Sequence, residues 1–241
     1  MHCVKPDFDV VSIRPEEPLR KVVRAVRRHR LLSILLGVIA LAAFYSICVV
    51  AQAYIETPAI IARATAPDKT PLRLEDFPPD YLDALLKVED PSFYSHHGVD
   101  LMTPGAGYTT ITQALVKQLY FEHFKPGFAK LKQSLIALVL DRRVDKSTQL
   151  RIFVNLVYMG GLGSVDIHGF SDAARFYYGK EFKEMSRDEY LALVAMIIGP
   201  DGFSVKEHPE KNAERVRRIK RLLDGQCSPA GNSDVYLEAC K

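Results

Sequence analysis

The chain has 241 residues, a quarter of them charged (25%), and a formal net charge of +3. That length holds one domain of ordinary size plus an anchor. So small a charge excess excludes a strongly basic nucleic-acid binder and makes the placement of charge more informative than its sum.

In chain order, the first predicted element is an uncharged run from Leu31 to Ile55. At 1.5 Å per residue it can cross a hydrocarbon core of roughly 30 Å. Arg20, Lys21, Arg24, Arg27, Arg28 and Arg30 stand before it and Glu56 directly after it. The positive-inside rule therefore assigns residues 1–30 to a basic cytoplasmic N-terminus and everything beyond the membrane helix 31–55 to the outside. The run is too long for a signal-peptide core, and no small-x-small cleavage site follows it, so it reads as a retained single-pass anchor. Residues 56–79, rich in Pro and Thr, read as an extended stalk.

A helical domain is expected over residues 80–225. Asp80, with Asp83 three residues on, reads as the cap of a helix carrying Tyr81, Leu82, Leu85, Leu86 and Val88 and ending at Glu89. Further helices are expected over 110–121, 128–144 (Leu131, Leu135, Leu138 and Val139 on the buried side), 147–159 and 171–177. A capping box at Ser186/Glu189 opens a strongly apolar helix that stops at Gly199-Pro200, and a last helix over 209–225 carries a basic face of Arg215, Arg218 and Arg221. Strand patterns are scarce, so the domain reads as all-α. In the tail, residues 226–241, Cys227 and Cys240 lie where disulfides persist. Closing the twelve intervening residues is worth about 3 kcal/mol in the chain-entropy model, and the reading favours that disulfide over two free thiols.

Three stretches hold residues suited to chemistry. The first is Glu89-Asp90-Pro91-Ser92-Phe93-Tyr94-Ser95-His96-His97-Gly98-Val99-Asp100. A carboxylate beside aromatic groups can be desolvated and serve as a general base, although on spacing alone Glu89 is an ordinary surface carboxylate. The two histidines lack further ligands at metal-site spacing, so no metal site is expected. In the second, Thr110, Gln113 and Lys117 share one helix face that opens after Gly105 and Gly107, a setting that favours an anion. The third runs Ala129-Lys130-Leu131-Lys132-Gln133, and with Lys117 it can form a basic wall for a pyrophosphate.

In order and combination these stretches resemble the motifs of the family 51 glycosyltransferases, the peptidoglycan polymerases found alone or fused to penicillin-binding domains. Glu89, Asp90, Phe93, His96, Gly98 and Asp100 fill every fixed position of the family's E-D-x-x-F-x-x-H-x-G-x-D. Gly107, Thr110, Ile111, Thr112, Gln113, Leu115 and Lys117 match G-G-S-T-I-T-Q-Q-L-x-K-N. Lys130 alone meets R-K-x-x-E, and Asn155, Tyr158, Gly160, Ala173, Ala174, Tyr177, Gly179 and Lys180 resemble a fourth region. The resemblance spans about residues 75–225. It implies a lysozyme-like all-α domain with a small membrane-facing jaw, in a single-pass protein of the bacterial inner membrane. It also implies polymerisation of lipid II into glycan strands during cell-wall synthesis.

In that scheme the substrates are lipid II and the nascent strand, with other cell-wall synthesis proteins as further partners and no nucleic acid. Glu89 is the general base. Asp90, Phe93, His96, Thr110, Gln113, Lys117, Lys130 and Lys132 bind substrate. No cofactor is required, although a divalent cation (Mg or Mn) is compatible with the scheme. The chain departs from the pattern at the second catalytic carboxylate, which is Gln133, and at Ala129, Tyr108 and Ala114. Few residues separate Asp100 from Gly107, where family members carry some two dozen. A second expectation stands beside the enzyme: a catalytically impaired relative that binds lipid II, glycan or a synthesis partner.

Overall fold

The computed structural model describes residues 16–162 and 165–241. Cys3 and half of the N-terminal segment 1–30 lie outside the described residues. Residues up to Ile47 form one compact unit and Cys48–Lys241 a second.

Helix α1 (Glu16–Ala64) opens the description. Within it, 26–64 is long and apolar enough to cross a membrane, with a mean hydropathy of 2.6 in its best window. In the first unit the large side chains from Leu31 to Ile47 are exposed. An all-round apolar surface of that kind is suited to lipid.

In the second unit the stalk expectation is corrected. Residues 56–64 continue α1; Val49, Ala53 and Ala64 join the domain's hydrophobic core, and Ile61 packs against it. Thr57 and Pro58 read as breakers, but an interior Pro removes one ladder bond, and core packing along this stretch offsets that loss. A hydrogen bond of 2.7 Å joins the Thr57 and Tyr120 hydroxyls. The rest of the supposed stalk is also held, since Leu72 and Phe77 are buried. Leu72 N–H donates to Asn155 Oδ1 and Asn155 Nδ2 donates back to Leu72 O, each at 2.9 Å, so one side chain imitates a strand partner.

The domain then runs α2 (Pro79–Glu89), α3 (Ile111–Tyr120), α4 (Phe128–Arg143), α5 (Lys146–Leu156), β1 (Tyr158–Leu162), β2 (Val165–His168), α6 (Gly169–Tyr178), α7 (Arg187–Met196) and α8 (Pro209–Leu223). It is an all-α domain, as expected, carrying a two-stranded antiparallel hairpin. Helices α3, α4 and α5 pack together, and α7 packs on α8 and α2. Between them, Phe77, Tyr81, Phe170, Phe182 and Tyr190 form an aromatic centre, with Tyr81 and Tyr190 stacked at 4.2 Å. Tyr190 Oη donates to Tyr81 O at 2.8 Å, so its buried hydroxyl is satisfied.

Several local expectations are also corrected. Asp80 does not cap α2: Pro79 takes the first helical position, where its missing N–H costs nothing, and Asp80 pairs with Arg187 at 2.8 Å. Leu131 and Leu138 face outward, and α4 buries Gln133, Ile136, Ala137, Val139 and Leu140. The fifth helix ends at Leu156, and the residues after it form the hairpin, in which Gly160, within β1, takes a φ of +84° at the register shift between Tyr158 and Gly161.

Candidate active site

Glu89 and Asp90 are consecutive, and the end of α2 separates them. Asp90 N–H still bonds to Leu86 O at 2.9 Å, but its backbone is extended (φ −158°), so the two side chains diverge. Asp90 turns inward and is fully buried. Its Oδ2 accepts the Ile111 N–H, at the first turn of α3, and His96 Nε2–H, each at 2.9 Å. His96 Nδ1 accepts Gly98 N–H at 2.9 Å, which places the ring proton on Nε2, facing Asp90. A buried carboxylate at a helix N-terminus is stabilised by the unpaired N–H groups and the dipole there.

The same scaffold absorbs Thr110 and Gln113. Thr110 Oγ1 donates to Gly98 O at 2.8 Å and accepts Gln113 N–H at 3.1 Å; Gln113 Oε1 accepts Thr110 N–H at 3.1 Å, and its Nε2 donates to Ser134 at 2.9 Å. Gly98 sits at φ +90°, and a Cβ there would lie 2.4 Å from Ala137 O, so only glycine lets this loop press against α4. Phe93 is a core residue with Lys146 Nζ 4.6 Å above its ring. The structure therefore places Asp90, Phe93, His96 and Gln113 inside the scaffold, where they position the segments around the cleft.

The cleft measures about 720 Å³, and Glu89, Thr109, Thr110, Lys117, Tyr158 and His168 are among its lining residues. Glu89 Oε1 is buried and has no hydrogen-bond partner. Burial pushes the Glu89 carboxyl up to about 7; the nearby Arg215 charge opposes that rise and Asp90 adds to it. This is the poise of a general base near neutral pH.

Lys117 is exposed on the cleft wall. Lys130 Nζ donates to Thr109 Oγ1 at 2.9 Å, at the rim, and its pKa is lowered by burial and by the charge of Lys117. Lys132 lies 5.5 Å from the Phe121 ring. Among the described residues, none of these three lysines forms an ion pair with a carboxylate. Cations that desolvate and repel one another are relieved by a bound polyanion.

Gln133 lies elsewhere. It is buried, its Nε2 donates to Gln113 O at 2.7 Å, and its Oε1 is buried without a partner. The other carboxylates nearby are engaged. Asp141 pairs with Lys146 at 2.7 Å. Asp100 accepts from Ser92, Met102 N–H and Thr103 N–H; burial works to raise its pKa, but these bonds outweigh it and hold the carboxyl far below its usual range. Among the described residues no three His, Cys, Asp or Glu side chains gather to hold a metal ion.

Arg215 belongs to the basic face expected on the last helix, yet it is 2% exposed. Asn212, Arg215, Ile219 and Leu222 are all buried on α8. Their 3-4-3 spacing is the signal that marks Arg215 as inward-facing. Tyr158 and His168 reach the cleft on the hairpin, whose strands of five and four residues are too short to stand out in the sequence.

The sequence profile of the family described as Transglycosylase matches residues 57–224. Penicillin-binding protein 1B of Haemophilus influenzae is 33% identical over 169 residues, covering 65% of this chain and 22% of that protein. Penicillin-binding protein 1B of Vibrio cholerae is 33% identical over 165 residues (63% and 21%), and that of Escherichia coli 32% over 163 (62% and 19%). The chain thus spans about a fifth of the length of these relatives. With 168 consecutive residues matched and the cleft built from the motifs that those residues contain, the chain belongs to the transglycosylase family, the family 51 glycosyltransferases.

Proposed function

We propose that the protein is a peptidoglycan glycosyltransferase that polymerises lipid II at the outer face of the bacterial inner membrane, held there by α1 with its N-terminus in the cytoplasm. The observation that carries the reading is Glu89, a half-buried carboxylate with an unpartnered oxygen, in the same cleft as Lys117, whose charge is also felt by Lys130 at the rim. In the reaction the 4-hydroxyl oxygen of the acceptor sugar attacks the anomeric carbon of the growing chain. Its proton passes to Glu89, the C1–O bond to the lipid pyrophosphate breaks, and the electron pair leaves on the pyrophosphate. Lys117 and Lys130 stabilise the charge that develops there.

The test mixes the purified full chain with labelled lipid II in detergent and measures polymer. Polymer that disappears in Glu89→Gln supports the reading. Absence of polymer from the unaltered chain, with lipid II still bound, overturns it in favour of a binding role.

Gln133 favours that second reading, because the chain lacks the family's second carboxylate and the Gln there holds α4 to α3. Gln133→Glu puts a carboxylate against the Gln113 carbonyl, so a lower melting temperature without a gain in rate is expected. A tenfold gain or more, about 1.4 kcal/mol of barrier, would show that the missing carboxylate limits the protein.

A further inference from the structure

The C-terminal segment lies beyond residues 57–224, the stretch shared with the family. It is closed by the Cys227–Cys240 disulfide, and it covers the short loop between Asp100 and Thr110. Gly105 N–H donates to Gly231 O and Gly107 N–H to Asn232 O, both at 2.9 Å, and Asn232 Nδ2 donates to Thr103 O at 3.2 Å.

The fit is close. A Cβ on Gly105 would lie 2.7 Å from Pro229 and one on Gly107 would lie 2.7 Å from Val235. On its other side the segment is held by α8, where Arg215 Nη1 donates to Val235 O and Arg218 Nη1 to Tyr236 O, each at 3.0 Å. Leu237 and Cys240 are buried. Between these two attachments, Ser233 and Val235 line the cleft that contains Glu89.

We propose that this disulfide-closed segment is a wall of the active cleft and positions the lipid-linked substrate, with Ser233 and Val235 as the residues that face it. Two lines of geometry support the assignment. The backbone bonds make one unit of the segment and the loop at 103–107, so the loop that is short in sequence is backed by chain from the other end of the domain. The buried Arg215 also ties the wall to α8. The disulfide ties the end of the segment back to Cys227, just after α8, and so limits how far the wall can open, alongside the hydrogen bonds, the Arg218–Glu238 ion pair, the Phe203–Tyr236 stack and the buried Leu237.

The inference rests on the cleft being the substrate site, and the experiment separates the two. The full-length Cys227→Ser/Cys240→Ser variant and the reduced wild type are compared with the oxidised protein. Amide hydrogen exchange is followed at Gly105 and Gly107, and KM and kcat, or Kd for lipid II if no polymer forms, are measured. Faster exchange at both amides is expected, with KM or Kd raised roughly tenfold and kcat changed less than twofold.

Ser233→Trp, which fills the cleft and leaves the disulfide intact, is expected to raise KM or Kd by a similar factor without moving the melting temperature or the exchange rates. Unchanged exchange after reduction would overturn the clamp. Unchanged KM or Kd in Ser233→Trp would overturn the wall, whether or not the protein polymerises.

Discussion

Glu89 and Asp90 are adjacent carboxylates at the end of one helix, and their surroundings are opposite. Asp90 is wholly buried and satisfied: an α3 N–H and His96 hold its charge, and it ties the loop at 96–98 to the start of α3. Glu89 keeps one buried oxygen with no partner beside an open cleft. A buried carboxylate that receives hydrogen bonds holds structure, whereas one that burial leaves without a partner is raised in pKa and can take a proton. In the proposed reaction the first motif therefore combines one reacting group with the scaffold that aims it, and type or order of residues does not distinguish the two roles.

The sharpest way to break this contrast is to remove each carboxylate in turn. Glu89→Gln is expected to lower polymerisation by roughly 10²- to 10⁴-fold while leaving the fold intact. Because burial holds the native carboxyl up to about 7, above its ordinary 4.5, the native state keeps a proton that the unfolded chain releases between those values. Stability should therefore fall as pH rises through that window, by about 3 kcal/mol in all, and Glu89→Gln should recover most of it at pH 8. Denaturant midpoints at pH 5 and pH 8 measure this, and an equal effect of the variant at both would contradict the assignment.

Asp90→Ala should behave in the opposite way, costing about 3 kcal/mol because it strips partners from His96 and the α3 N-terminus. A loss of activity without a loss of stability would instead make Asp90 a substrate contact.

Lys117→Met should weaken lipid II binding roughly 10- to 100-fold, as expected for losing a charge-assisted contact to phosphate, with no change in melting temperature because the side chain is exposed. Isothermal titration reads that effect. Smallest is Thr110→Val, which deletes the α3 cap and the bond to Gly98 O at a cost of about 1–2 kcal/mol. It should change the melting temperature, with KM following only in proportion to unfolding. A large KM effect at full stability would make Thr110 a substrate contact as well as a cap. The pH–rate profile of the unaltered chain should carry an acidic limb near 7, where Glu89 gains its proton.

Much of the fold was legible because its signals are local. The apolar run, the Ser186/Glu189 capping box and the Thr110 helix start are each set by neighbours within one turn, and the structure keeps all three. The stalk was misread for the same reason. Thr57 and Pro58 look like breakers, while the contacts that hold 56–64 helical come from residues far along the chain. Within the motifs, residue type identified chemistry-bearing positions without saying which way each side chain points.

By itself, the order of residues determined the helical class, the long apolar helix and the membership of Glu89 in a motif, because periodicity, caps and motif spacing are properties of adjacent residues. Tertiary structure alone decided that Glu89 is left without a partner while Asp90 is satisfied. The burial of Arg215 and Gln133 and the placing of the 227–240 segment on the cleft were decided there too. Desolvation and partner choice depend on what the rest of the chain places within a few ångströms, and sequence neighbours do not specify that.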